Sequence, residues 1–129
     1  MVGEFRFYPN AGQTGTKSPT NMTSNVLPTP FVASGTGAFS STYDYYKAFD
    51  GNINSGYWNL GSSSPYNDYV SIDLGASMLV KSMFIAPWQS GYLWTGCDIE
   101  ASTTGAWGGE EVLIYQAVGN VPANGLNIG

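Results

Sequence analysis

Tyr69-Val70-Ser71-Ile72-Asp73-Leu74-Gly75 is the stretch that decides the fold. Apolar Val70, Ile72 and Leu74 alternate with Ser71 and Asp73, and a glycine ends the run, which is how a core-facing strand and its exit turn read. Upstream, Lys47-Ala48-Phe49-Asp50-Gly51-Asn52 runs on to Trp58, and a loop of Ser, Pro, Asn and Asp joins the two stretches. In order they read as a loop that fixes an ion or a turn, an aromatic anchor, and a buried strand.

Elsewhere helical periodicity is scarce, and short apolar or alternating segments recur between turn-forming clusters. The expected strands are Glu4–Tyr8, Phe31–Ser34, Tyr69–Leu74, Val80–Pro87, Cys97–Ser102 and Glu111–Ala117. The intervening segments 11–17, 35–42, 61–67, 89–95 and 103–109 are rich in Gly, Ser, Thr or Asn. That pattern favours an all-β antiparallel sandwich or jelly roll. Only Tyr43–Phe49 suits a helical turn, no internal repeat is visible, and the Gly-rich segments 11–15 and 119–129 read as extended arms or linkers.

With 129 residues the chain fits one domain, able to bury roughly two-thirds of the surface its unfolded form exposes. Charged residues make up only 10% of it, so its surface is built largely of neutral hydrogen-bonding groups, a composition of extracellular or virion β-proteins. Four basic residues against nine acidic ones give a net charge of −5, which argues against nucleic acid as a partner. Cys97 is the only cysteine, so neither an intramolecular disulfide nor a multi-cysteine zinc site is available, and it reads as a small buried hydrophobe. No apolar run approaches the ~18 residues of a membrane span, and the N-terminus lacks a basic-then-apolar signal pattern; membrane insertion is not expected.

The order of these motifs resembles the discoidin family of galactose-binding-like β-sandwich modules, which includes many carbohydrate-binding modules. Val32-Ala33-Ser34 resembles its first core strand, Tyr46 to Gly51 the turn before the first ligand-side loop, and Trp58 the tryptophan closing that loop. Tyr69 to Gly75 resembles its central strand, Val80 to Ile85 the neighbour, and Ile99 to Ser102 through Gly105 to Trp107 the strand and turn beyond. Residues 31–117 are covered. The resemblance implies a galactose-binding-like jelly-roll sandwich over 31–129, preceded by an N-terminal strand and extended arm over 1–30. Family members continue into two more strands where this sequence runs into a Gly/Asn/Pro-rich tail. Either Glu4–Tyr8, which resembles a late family strand, fills the gap as a permuted edge strand, or a neighbouring subunit does. A second resemblance lies in Met22 to Asn25 and Pro28-Thr29-Pro30, similar in style to segments ahead of such modules in bacteriophage virion proteins, among them tail fibres and head appendages.

Asp50-Gly51-Asn52-Ile53-Asn54-Ser55 is the strongest cation candidate. Asp50, Asn52 and Ser55 offer the oxygens that calcium prefers, Gly51 permits the tight turn, and related modules place a structural Ca2+ here. The alternative is an Asx turn, capped by Asp50 and needing no metal. A second constellation is aromatic: Tyr66, Asn67, Trp88, Tyr92 and Trp94 can line a glycan site or a subunit contact at the loop end. Trp58 and Trp107 fall where the family buries a ring and are expected in the core. Without histidine and with one cysteine, neither a Ser-His-Asp nor a Cys-His arrangement is available. The carboxylates Asp73, Asp98, Glu100, Glu110 and Glu111 read as turn, edge or solubility charge rather than the paired acids of a glycosidase.

The expectation is therefore a non-enzymatic phage virion component, a capsid decoration or cement protein or a small tail or fibre accessory. It would act by adhesion to other virion proteins or to copies of itself, with a glycan as a further ligand. The competing expectation is an extracellular carbohydrate-binding module.

Overall fold

The computed structural model describes residues 2–58, 68–88, 97–117 and 119–129. Among the described residues seven strands form in chain order: β1 (Val2–Tyr8), β2 (Val32–Gly35), β3 (Val70–Asp73), β4 (Ser82–Pro87), β5 (Cys97–Ala101), β6 (Val112–Ala117) and β7 (Leu126–Ile128). The described helical structure is three single 3-10 turns, Ala11–Gln13, Ser41–Tyr43 and Tyr45–Ala48. All strand pairing is antiparallel, in one sheet ordered β1-β4-β7 and two ribbons, β2-β3 and β5-β6. The chain is all-β, as its alternating segments predict.

These sheets share one core. Phe5 of β1, Ala33 of β2, Met83 and Ile85 of β4, Ile99 of β5 and Ala117 of β6 meet Met22, Ala48, Phe49, Tyr57 and Val121. Phe5 lies against Phe49 with ring centroids 6.0 Å apart, and Ile85 has no exposed surface. Burying a side chain of this size stabilises the fold by about 1.5–3 kcal/mol. Tyr57 is 4% exposed, and its hydroxyl donates to the Thr36 carbonyl, so its one polar atom is satisfied inside. Cys97 packs half-buried against this core, and burial pushes its thiol up, away from the reactive thiolate.

β4 is the organising strand, with neighbours on both edges. On one side β1 pairs Phe5 with Ile85 and Phe7 with Met83, so the N-terminal strand occupies that edge within the same chain. A bulge between Val2 and Glu4 centres on Gly3, where a Cβ would stand 2.6 Å from the Pro87 carbonyl oxygen. Only glycine lets the two backbones come that close.

On the other side of β4 the tail departs from its expected role as a linker. Leu126–Ile128 is a strand, pairing Leu126 with Ile85 and Ile128 with Met83, and Val121 is 2% exposed. The cause is the free edge of β4, which offers backbone partners to a three-residue alternating segment too short to stand out by itself. The 11–15 segment is tied down as well. Gln13 Nε2 donates to the carbonyls of Ile128 at 3.1 Å and Met83 at 3.3 Å, and its backbone N–H donates to Ser82 Oγ at 2.9 Å. One side chain thus locks the turn across β4 and β7.

Candidate functional site

The Asp50 loop is fixed from within and from below. Asp50 Oδ1 accepts from the Asn52 N–H at 2.9 Å, Asp50 Oδ2 accepts from Ser55 Oγ at 2.6 Å, and Asn52 Oδ1 accepts from the Asn54 N–H at 3.0 Å. Lys47 Nζ stands 3.6 Å from Asp50 Oδ2. The structure therefore brings Asp50, Asn52 and Ser55 together, with the Asp50 and Asn52 side-chain oxygens already engaged as acceptors and the Ser55 hydroxyl as a donor. Among the described residues no buried side-chain nitrogen or oxygen lacks a hydrogen-bond partner, and no group of three His, Cys, Asp or Glu side chains converges. This arrangement suits a hydrogen-bonded Asx turn; a calcium ion would have to exchange these bonds and displace the Lys47 ammonium.

Beneath the loop lies Glu4, a residue the sequence reading leaves inside a strand without a role. It has no exposed surface. Both carboxylate oxygens accept from the Gly51 N–H at 3.1 Å, and Arg6 Nε donates to Oε1 at 3.2 Å. Arg6 also donates to the Gly51 carbonyl at 3.3 Å and lies over the Phe84 ring, 4.8 Å from its centroid. Burial pushes the Glu4 carboxyl up to about 7, against the opposing pull of Arg6 and the Gly51 N–H. Gly51 sits at φ 82°, where a Cβ would strike the Asn21 side chain at 2.3 Å. The sequence signal was the pair Glu4 and Arg6 at i and i+2, a spacing that puts both on one face of a strand.

At the loop end four rings form a cluster. Phe39 stacks on Trp58 with centroids 4.3 Å apart at 13°, and Tyr43 meets Trp58 and Trp88 edge-on at 5.4 and 5.3 Å. The Trp88 indole N–H donates to the Asn54 carbonyl at 2.9 Å, tying this cluster to the Asp50 loop. Trp58 is thus packed, but in a half-exposed stack rather than in the central core. Tyr66, Asn67, Tyr92 and Trp94 lie outside the described residues.

The β5-β6 hairpin is the third region. Its inner half reaches the core through Cys97, Ile99, Tyr115 and Ala117, while its outer half leaves Val112, Leu113 and Ile114 exposed at 65%, 52% and 38%. Successive residues of a strand point to opposite faces, so three in a row leave both faces of the ribbon uncovered there. Among the described residues β6 pairs with β5 alone, and its other edge is open.

The turn of this hairpin corrects the expectation that Trp107 is a core ring: it is 48% exposed. Its backbone has φ 49°, the left-handed region that a bulky residue rarely enters. Glu110 holds it there, accepting from the N–H groups of Trp107 at 3.2 Å and Gly108 at 2.7 Å, and from Thr104 Oγ1 at 2.6 Å. The Ser102 hydroxyl donates to the same carboxylate. These donors hold the Glu110 carboxyl well below the usual carboxylate range.

No family model matches this sequence, and no curated protein or solved structure matches it.

Proposed function

We propose that this chain is a non-enzymatic structural module that works by protein–protein adhesion, with the galactose-binding-like jelly roll as its sandwich type. Its setting is a virion, as a capsid decoration or a small tail or fibre accessory, on the strength of the resemblance in the N-terminal third. The observation that carries the adhesive reading is the outer half of β6. A strand edge open among the described residues and flanked by exposed Val112, Leu113 and Ile114 offers backbone groups and apolar side chains at one place, the two elements of strand addition. A copy of this chain is the partner that the reading commits to, since two β6 edges present complementary donors and acceptors to each other in antiparallel register.

The test is the double substitution Leu113→Lys with Ile114→Lys. Both positions are exposed in the protomer, so the fold, read by far-UV circular dichroism, is expected to persist while self-association is lost. An association unaffected by the two lysines would overturn the assignment of β6. The competing reading, a free-standing carbohydrate-binding module, predicts a protein that is monomeric before and after substitution.

A further inference from the structure

Lys17 and Asn21 meet beside the Asp50 loop. Lys17 Nζ donates to Asn21 Oδ1 at 2.5 Å, closer than an ordinary N–H to oxygen bond, which brings an amine up to the carbon of a side-chain amide. Their neighbours hold both in place. Ser18 exchanges two backbone bonds with Phe7 of β1, at 3.0 and 2.8 Å, and the Met22 N–H donates to the Phe49 carbonyl at 3.1 Å. Pro19 and Met22 are buried, so the segment is pinned on either side of the reacting pair. The Asn21 amide rests on Gly51. Its Oδ1, Cγ and Nδ2 stand 2.3, 2.5 and 2.6 Å from where a Gly51 Cβ would be, and the Gly51 N–H is bonded to both oxygens of Glu4.

We propose that Lys17 and Asn21 join in an intramolecular isopeptide bond, formed on the Gly51 platform that Glu4 holds. The Lys17 ammonium first gives up a proton. Its free amine attacks Asn21 Cγ, and the Nζ–Cγ bond forms. The Cγ–Nδ2 bond then breaks, and Nδ2 takes a proton from Nζ and leaves as ammonia, which picks up the proton first released. An ammonium and a primary amide thus become a secondary amide and an ammonium ion, with no oxidant or co-reactant. Asn21 is exposed, so the ammonia escapes to solvent and the reaction does not run back.

The exchange is slow between free molecules, and a fixed amine and amide remove much of that barrier through proximity alone. The surroundings of Nζ help further. Burial pushes the Lys17 ammonium below the ordinary lysine range, with Arg6 adding to the effect and Glu4 and Asp50 opposing it, so more of the reactive amine is present near neutrality. Glu4 acts through the Gly51 peptide as a positioning residue, and its carboxyl, raised to about 7 by burial, exchanges protons in the same range. The bond closes a ring around buried Pro19 and fixes the arm where it passes from β1 to the Asp50 loop. A chain with one cysteine has no internal disulfide, and this amide gives it a covalent clip of another kind. The pair shares no residue with the β6 stripe, so it stands or falls independently of the adhesive reading.

The experiment is the intact mass of the full chain after denaturation, followed by tryptic mapping with fragmentation. A mass below that of the sequence by one ammonia is expected, with cleavage after Lys17 lost and a fragment spectrum joining Lys17 to Asn21. Lys17→Arg and Asn21→Ala should each restore the full mass with the fold, read by circular dichroism, intact. Chain purified in denaturant directly after synthesis starts unlinked, because the arrangement exists only in the fold, and refolding then starts the clock. The linked fraction should grow faster as pH rises and the amine is freed, and Glu4→Gln should slow it about tenfold or more and alter that pH profile. A folded wild type that keeps its full mass, or an ammonia loss that persists in Lys17→Arg, would overturn the proposal. Linking by Glu4→Gln at the wild-type rate across the pH range would overturn the part assigned to Glu4.

Discussion

Glu4 and Glu110 both use a carboxylate to accept a glycine N–H and pin a loop, yet their surroundings drive them in opposite directions. Glu4 holds Gly51 from a position with no exposed surface, and desolvation outweighs Arg6 and raises its pKa to about 7. Glu110 holds Gly108 at the surface, where two hydroxyls and backbone N–H groups stabilise the charge at little desolvation cost, and its pKa falls. The difference separates a region whose charge is sealed inside the fold from one whose charge is held at the surface. Around Glu4 the chain has closed its polar groups onto one another. Around Glu110 it has ordered an exposed aromatic ring and an open strand and left them facing solvent.

The widest separation between the two regions should appear on truncating side chains. Phe49→Ala, in the core beneath the Asp50 loop, should cost about 3–5 kcal/mol in denaturant unfolding. Trp107→Ala, although it removes a larger ring, should stay within about 0.5 kcal/mol. Comparable costs would mean that the Trp107 turn belongs to the core after all.

Next in size is the pH dependence of stability. Glu4 has a folded pKa above its ordinary value of 4.5, so the folded state binds the extra proton between the two. Its stabilising contribution is complete below about 4.5 and is lost as pH rises through about 7, by on the order of 3 kcal/mol. Asp50 also raises this carboxyl, while the Glu4 charge in turn supports the Lys17 ammonium, which burial pushes down. Glu4→Gln should flatten the melting temperature between pH 5 and 8, whereas an unchanged slope would remove Glu4 as its source. For Glu110 the sign reverses. Its folded pKa lies below the ordinary value, so its contribution is present above that value and is lost as pH falls through the folded pKa; Glu110→Gln should act on the acid limb alone.

Smaller again is the effect of the Asp50 loop. Asp50→Ala, which strips acceptors from the Asn52 N–H and Ser55 Oγ, should lower stability by about 1–2 kcal/mol. If the loop is a turn, adding calcium or EDTA should leave the melting temperature of the wild type unchanged. A calcium-dependent rise that disappears in Asp50→Ala would make it a cation site.

Much of the fold was legible because strand alternation is local. Six of the seven strands fall where apolar residues alternate between turn clusters, and the 3-10 turn Tyr45–Ala48 falls within the one segment suited to a helical turn. What escaped depends on partners remote in sequence. Leu126–Ile128 becomes a strand only because β4 has a vacant edge, and Gln13 acquires its role only when β7 is in place. The site was less legible still. The Asp50 loop announced itself through Asp, Gly, Asn and Ser in a short span, but Glu4 looked like an ordinary strand charge because its depth is set by Gly51, far along the chain. Trp107 was misplaced because the resemblance puts it where the family buries a ring, whereas the Glu110 bonds that hold it outward are built from residues common in any turn.

The adhesive reading is tested most directly by the mass of the wild-type protein in solution, measured by light scattering over a range of concentrations. A mass that is an integral multiple of the protomer's, falling to the protomer's in the Leu113→Lys, Ile114→Lys protein, is the predicted result. A wild type that remains a monomer at every concentration would contradict it.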